Sequence, residues 1–530
     1  MNHHIHLAGA PGRPWFRTGR AHATGTAYLG NNTHFAGRSL AAHLDGSPGE
    51  FASRVAALSG SFAAVLETDD VVLAASDRIR SIPLFYGETP AGIALSDDAR
   101  WVAEQVGARL DSAPAAAELL LGSCTTGAST LSSAVRQVLA GEIVRLGRGP
   151  AGADRYFRYG TGEVLQEAEE DLFHEGVRLF EAAFEALLAS ARDRPIAVPL
   201  SGGMDSRLVA AMIVRGGRTD ALCFSYGNPF SHETRASRAV ARALGLRWEF
   251  VRYTSRAWYR WFRSPRFQQF RLGAGGLSTI EHEQDWPAVK SLVERGIMPR
   301  RTIVMPGHGG YLSGRYISGF PPALHDDPVE AVWRKYYIEW PTSGISPELE
   351  ADLRHRIRFA TEGLDSAAAY TVFGWQERHA KMIANSVRVY EDHGLDWRLP
   401  LWADTGVVDF WGRLPLALRL NRRLYLRVVR HLVGEVFDLP STIRPDIPLV
   451  GKLRRGIDAD FRRYGIWLGA APLARGLVTP VASRAVVDHP VVGPVVRQLA
   501  EPIAARPLQW ATINGLLALE QLRSLARELG

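Results

Sequence analysis

The chain has 530 residues, 46% of them hydrophobic, enough for about two to four packed domains. Its formal charge of +7 is spread without a basic block, which argues against a nucleic-acid arm and leaves a mild pull on anionic substrates. Cys124 and Cys223, the two cysteines, lie far apart and exclude a disulfide framework, no run reaches membrane-span length, and the N-terminus lacks a charged-then-apolar signal, so a soluble cytoplasmic protein is expected.

In chain order, residues 1–150 read as a β-rich domain. The apolar runs 60–66 and 71–75 flank Thr68-Asp69-Asp70, a hairpin signal, and the runs 82–86 and 93–96 follow at similar spacing. Asp97-Asp98 then opens a helix through Trp101 and Val102. His4 and His6 share one face of a strand, but two ligands are too few for a metal. The Gly- and Pro-rich stretch 147–153 predicts the domain boundary. Beyond it, Leu172, Phe173, Val177, Phe180, Phe184, Leu187 and Leu188 follow helical spacing.

The most informative stretch comes next. The run 195–199 has strand length, and 204–214 has helix length before Gly216-Gly217. Between them Ser201-Gly202-Gly203-Met204-Asp205-Ser206 is a small-residue turn with one carboxylate and two hydroxyls. Glycines leave backbone N–H groups bare, and the following helix adds its own unpaired N–H groups and the positive end of its dipole. Such a turn is an anion cradle, and Asp205 at its lip has the chemistry to hold a metal that bridges phosphate oxygens. It lacks the Gly-Lys-Ser/Thr ending of the Walker pattern.

Downstream the pattern alternates. Strands are expected at 221–226, 248–253 and 302–305, with helices from Ser231 to Leu244 and near 287–294; from about residue 325 the chain reads as helical. Alternation of this kind predicts an α/β fold with a doubly wound parallel sheet, whose ligands bind beyond the carboxyl ends of the strands. That rule gathers 201–206, Ser225-Tyr226 and Pro306-Gly307-His308-Gly309-Gly310 around one crevice.

Ser201-Gly-Gly-Met-Asp-Ser206 resembles the pyrophosphate loop of enzymes that split ATP into AMP and pyrophosphate. The stretches Leu58-Ser-Gly-Ser-Phe62 and Ser76-Asp-Arg-Ile-Arg-Ser-Ile-Pro-Leu-Phe-Tyr86 look like the end of a class II glutamine amidotransferase domain. Together they resemble the asparagine synthetase B family, and most of the chain takes part. The resemblance implies an αββα amidotransferase-like domain over 1–150 and a synthetase domain of the adenine-nucleotide α-hydrolase type, with a helical C-terminal part, over 160–530. Asn385-Ser-Val-Arg-Val-Tyr-Glu-Asp-His-Gly-Leu-Asp-Trp-Arg-Leu-Pro-Leu-Trp402 and Gly273-Ala-Gly-Gly-Leu-Ser-Thr-Ile-Glu-His-Glu-Gln-Asp-Trp286 are most similar to the branch from polysaccharide clusters.

The implied activity is ATP-dependent amide formation, with ATP and magnesium as cofactors. A small carboxylate (amino acid, sugar acid or peptide) is adenylated, and ammonia or another amine then attacks it. No nucleic acid is implied as a partner, and a homodimer is compatible with the family. Leu200, Ser201, Gly202, Gly203, Asp205, Ser206, Phe224, Ser225 and Gly307 correspond to nucleotide-binding positions, with Asp205 as the metal ligand and a catalytic residue. A family lysine that meets the phosphates corresponds to Lys452, one of only four lysines among 62 basic residues.

Two departures stand out. The family's amidotransferase nucleophile is an N-terminal cysteine; here the chain begins Met1-Asn2-His3-His4, so no glutaminase is expected. The family's second phosphate-side motif carries an aspartate that holds a second magnesium bond. This chain reads Gly307-His-Gly-Gly-Tyr311: either Tyr311 replaces the acid, or the acid is deleted and Tyr311 matches the aromatic after it. Alternative readings are a cyclase of the β-lactam or lasso-peptide type and a catalytically silent scaffold.

Overall fold

A computed structural model describes residues 3–30, 33–147, 150–191, 193–227, 229–314, 317, 326–337, 345–440 and 513–529. The chain opens with β1 (His4–His6), β2 (Phe16–Thr18), β3 (Ala21–Leu29), β4 (Thr33–Ala36), α1 (Arg38–Leu44), α2 (Pro48–Ala57), β5 (Ser59–Glu67), β6 (Val71–Ser76), β7 (Phe85–Thr89) and β8 (Gly92–Ser96). There follow α3 (Ala99–Gln105), α4 (Ala113–Gly122), β9 (Arg136–Gln137), β10 (Glu142–Gly147) and β11 (Gly152–Arg155).

These strands form two sheets, β1-β8-β7-β9 and β11-β10-β6-β5-β3-β2, with β4 paired to β3. Along β5 the buried residues divide by period two. Phe62, Ala64 and Leu66 join Leu40, Leu44, Phe51 and Val55 of the two covering helices in one core. Ala63 and Val65 face the larger core, which holds Leu84 just before β7, Leu95 of β8 and Val102 of α3. Burial on both faces explains why the run 62–66 is continuously apolar.

Two expectations shift here. The strand expected at 82–86 begins only at Phe85. The residues before it wrap the buried Asp77 carboxylate, which accepts N–H bonds from Phe62, Ile79 and Ser81 at 2.9–3.1 Å. The linker expected at 147–153 runs into β11, which pairs antiparallel with β10 from Glu142↔Arg155 to Arg145↔Gly152. An unfilled sheet edge captured this exposed backbone, so the sheet extends to Arg155.

The second half runs α5 (Glu169–Ser190), β12 (Ile196–Pro199), α6 (Met204–Arg215), β13 (Leu222–Gly227), α7 (His232–Ala243), β14 (Arg247–Arg252), α8 (Ser255–Phe262), α9 (Pro265–Ala274), α10 (Trp286–Glu294) and β15 (Ile303–Val304). It continues through α11 (Pro328–Tyr336), α12 (Pro347–Ala360), α13 (Ser366–Phe373), a π-helical turn (Gly374–His379), α14 (Ala380–Asp392), β16 (Asp396–Trp397), α15 (Thr405–Arg413), α16 (Leu416–Arg419), a 3-10 turn (Leu420–Arg422) and α17 (Arg423–Val433). A helix over Ile513–Glu528 ends the described residues.

The strands form a parallel sheet ordered β14-β13-β12-β15-β16. Its centre is β12, the strand that feeds the small-residue turn. The fifth strand, β16, comes from a stretch expected to be helical. Asp396 and Trp397 pair with Ile303 and Val304, too short a run to show period two in sequence. Among the described residues no helix is long and apolar enough to cross a membrane.

Candidate active site

The turn between β12 and α6 sits at the carboxyl end of the central strand. Its shape is set by its own hydroxyls. Ser201 N–H donates to Ser206 Oγ at 3.1 Å, Gly203 N–H donates to Ser201 Oγ at 3.1 Å, and the two Oγ atoms lie 2.9 Å apart. Leu200 is pinned from the next strand: its N–H donates to the Phe224 carbonyl at 2.9 Å, and its own carbonyl accepts from Ser225 Oγ at 2.6 Å. Helix α6 then starts at Gly203 with no side-chain cap, so the positive end of its dipole is left to whatever sits above the turn.

The second glycine stretch closes over this one. A Cβ on Gly307 would lie 2.4 Å from Ser206 N and 2.8 Å from the Asp205 carbonyl carbon, and one on Gly309 would lie 3.2 Å from Asp205 Cγ. Only glycine at 307 lets the two backbones approach this far. Of the three stretches that strand order gathers around one crevice, 201–206 and 306–310 are therefore in direct contact.

The individual positions differ in what they offer. Leu200, Ser201, Gly202, Gly203, Asp205, Ser206, Ser225 and Gly307 gather at the strand ends. Phe224 has its side chain in the core with no exposure, so only its backbone faces the turn. Ser225 Oγ is committed to Leu200 and Ser237. Lys452 lies outside the described residues. Tyr311 does not stand beside Asp205 in place of the missing acid: its hydroxyl lies 3.4 Å from that of Tyr336, and its ring packs edge-on against His379.

Asp205 carries the largest surprise. Its Oδ1 accepts from Arg422 Nη2 at 2.8 Å and from the Tyr425 hydroxyl at 2.8 Å, and all three side chains are buried. Arg422 arrives through a kink between α16 and α17 in which Asn421 and Arg422 both adopt left-handed backbone, φ 52° and 61°. Such residues cost roughly 1–3 kcal/mol each and cluster at functional sites. Sequence offered no signal for Arg422, one arginine among dozens; only the kink selects it.

Beside the turn lies a group of neutral imidazoles. His308 Nε2 is 3.0 Å from Ser386 Oγ, and burial together with nearby His282 pushes its pKa down to about 4. Burial, then His308, holds His379 well below the ordinary range. His379 ends the π-helical turn, a feature frequent at functional sites. His308 was placed in the crevice by its motif; Ser386 and His379 were missed, because the contact joins α14 to the loop after β15.

The magnesium ion implied for Asp205 does not fit the residues around it. The described residues contain no group of three or more His, Cys, Asp or Glu placed to hold a metal. The one motif carboxylate already carries a guanidinium, whose positive charge opposes a bound cation.

Residues 177–264 match the family model for asparagine synthase. That segment runs from within α5 through the turn 200–203 to α8, so it holds the cradle and excludes the 306–314 stretch. The chain is 33% identical over 200 residues to a carboxyethyl-arginine beta-lactam-synthase of Streptomyces clavuligerus, over 36% of this chain and 35% of that one. The chain thus matches only about a third of that curated relative's length. Among solved structures it is similar to an NH3-dependent NAD synthetase from Campylobacter jejuni (13% identity, 28% of this chain, 61% of that chain, TM-score 0.19). Another is the glutamine phosphoribosylpyrophosphate amidotransferase from B. subtilis (11% identity, 55% of this chain, 63% of that chain, TM-score 0.20).

Proposed function

We propose that the protein is an ATP-dependent carbon–nitrogen ligase that adenylates a carboxylate and passes it to an amine. The observation that carries this reading is the uncapped start of α6 behind a serine-shaped turn, at the end of the central parallel strand and inside the asparagine-synthase-matched segment. In the proposed reaction a carboxylate oxygen attacks the α-phosphorus of ATP and the bond to pyrophosphate breaks. The turn and helix dipole stabilise the negative charge that develops on the leaving group. The amine then attacks the acyl carbon, loses a proton, and AMP leaves.

The amine is proposed to come from solution, a partner or the substrate itself rather than from glutamine. In support, burial pushes the thiols of Cys124 and Cys223 both up to about 12, which makes neither a nucleophile at neutral pH. A second reading, an intramolecular cyclase whose acceptor amine sits on the adenylated molecule, is favoured by the named activity of the Streptomyces relative. The domain division 1–150 and 160–530, the role of Lys452, the sugar-acid class of substrate and a homodimer remain parts of the proposal. Carboxylate-dependent exchange of labelled pyrophosphate into ATP tests the reading, screened over aspartate, uronic acids and carboxyethylated amino acids. Exchange with one class identifies the acceptor; nucleotide binding without exchange for any would leave a scaffold.

A further inference from the structure

The crevice contains a cation already. Arg422 is 5% exposed, its Nη2 is bonded to Asp205 in the first turn of α6, and its Nε has no hydrogen-bond partner among the described residues. Tyr425 supports the pair from below, with its hydroxyl on the same carboxylate oxygen and its ring 5.0 Å from the guanidinium carbon. The backbone that delivers Arg422 is left-handed at two successive non-glycine residues, a conformation kept only where surrounding packing imposes it. Part of that packing comes from the loop after β15: a Cβ on Gly314 would meet the carbonyl oxygen of Arg419, the last residue of α16, at 2.4 Å. That loop therefore rests on the end of α16, two residues before the kink that supplies the arginine.

We propose that Arg422 takes the part a divalent ion would play, bridging Asp205 to the phosphate oxygens of the nucleotide, so that this protein binds ATP without needing a divalent metal. The proposal rests on the ligase reading for the identity of the nucleotide. Its chemistry is that of the guanidinium: always charged, planar, and carrying further N–H donors beyond the one that Asp205 uses. Charge-assisted bonds to phosphate are about twice as strong as neutral ones. Asp205 then orients an arginine instead of holding an ion, and a second carboxylate would only compete for it.

The test is calorimetric titration of ATP into the full chain, once in EDTA and once in excess magnesium. Wild type is expected to bind in EDTA with an affinity within about threefold of that in magnesium, since the cation is built in. Arg422→Met should weaken binding in EDTA by about tenfold or more and recover part of it in magnesium, because Asp205 is then free to hold the ion. Circular dichroism reports whether that variant folds. If it does not, Arg422→Lys keeps the charge without the fork and should bind in EDTA roughly three- to tenfold more weakly than wild type. Magnesium-dependent binding by wild type overturns the inference and leaves the ligase reading intact, as does undiminished affinity in EDTA for the variant that is read. No binding of ATP under either condition overturns both.

Discussion

Where the N-terminal sheets meet the helices around the parallel sheet, and again in the crevice at its strand ends, the protein buries charge, and it does so in opposite ways. At the seam Lys381, with no exposure, donates to the Thr125 carbonyl at 2.5 Å, the Gly127 carbonyl at 2.9 Å and Glu377 Oε2 at 2.6 Å. Three ammonium protons face three acceptors. Glu377 in turn accepts the Gly127 N–H at 2.9 Å. Nearby Glu118 receives both arms of Arg356 at 3.0 and 2.9 Å. In the crevice Arg422 donates to Asp205 through Nη2, its Nε has no acceptor among the described residues, and its backbone is strained. A saturated cluster fixes two parts of a molecule together. An unsaturated, strained one keeps donor capacity for a ligand.

The largest expected effect comes from breaking the saturated side. Lys381→Met leaves Glu377 buried without its cation and should cost about 3–5 kcal/mol of stability. Urea unfolding followed by tryptophan fluorescence measures it. A loss below about 1 kcal/mol would place Lys381 with ordinary surface lysines.

The crevice side sharpens through pH. The folded pKa of His308 is depressed to about 4 from its ordinary 6.5, so the unfolded chain takes up the proton first as pH falls. Its contribution to stability is full above pH 6.5 and drains away by pH 4, by about 3 kcal/mol. His308→Gln should flatten this part of the acid limb. An unchanged pH slope in that variant would mean that the imidazole is solvated.

Between these lies the contact of the two glycine stretches. Gly307→Ala places a methyl 2.4 Å from Ser206 N, and overpacking of this kind costs about 1–3 kcal/mol. Because the strain falls on the first turn of α6, ATP affinity should fall by roughly tenfold or more, a larger relative effect than on stability. Equal affinity with a lowered melting temperature would separate 306–310 from the proposed nucleotide site.

The smallest effect supplies the control. Ser47 and Glu50 form a capping box at the start of α2, with Ser47 N–H donating to Glu50 Oε2 at 2.8 Å. Ser47→Ala should cost about 1 kcal/mol and leave ATP binding as it was. A change in ATP affinity there would show that the two halves are coupled across the seam.

What the sequence determined by itself was local. The βα alternation and the order of strand, turn and helix around Ser201 to Ser206 follow from short-range pattern. Periodicity, helix caps and small-residue turns act over a few residues, so they can be read along the chain. The α5 pattern and the helix expected from Ser231 to Leu244 appear in the structure as α5 and α7. Tertiary structure decided the rest. Asp205 and Arg422 are 217 residues apart, and Ser386 and His308 are 78 apart. Strand β16 is a strand only because β15 offers it an edge. Whether a carboxylate holds a metal or a guanidinium depends on which buried charge lies nearest, and that distance is set by packing, which no local pattern records.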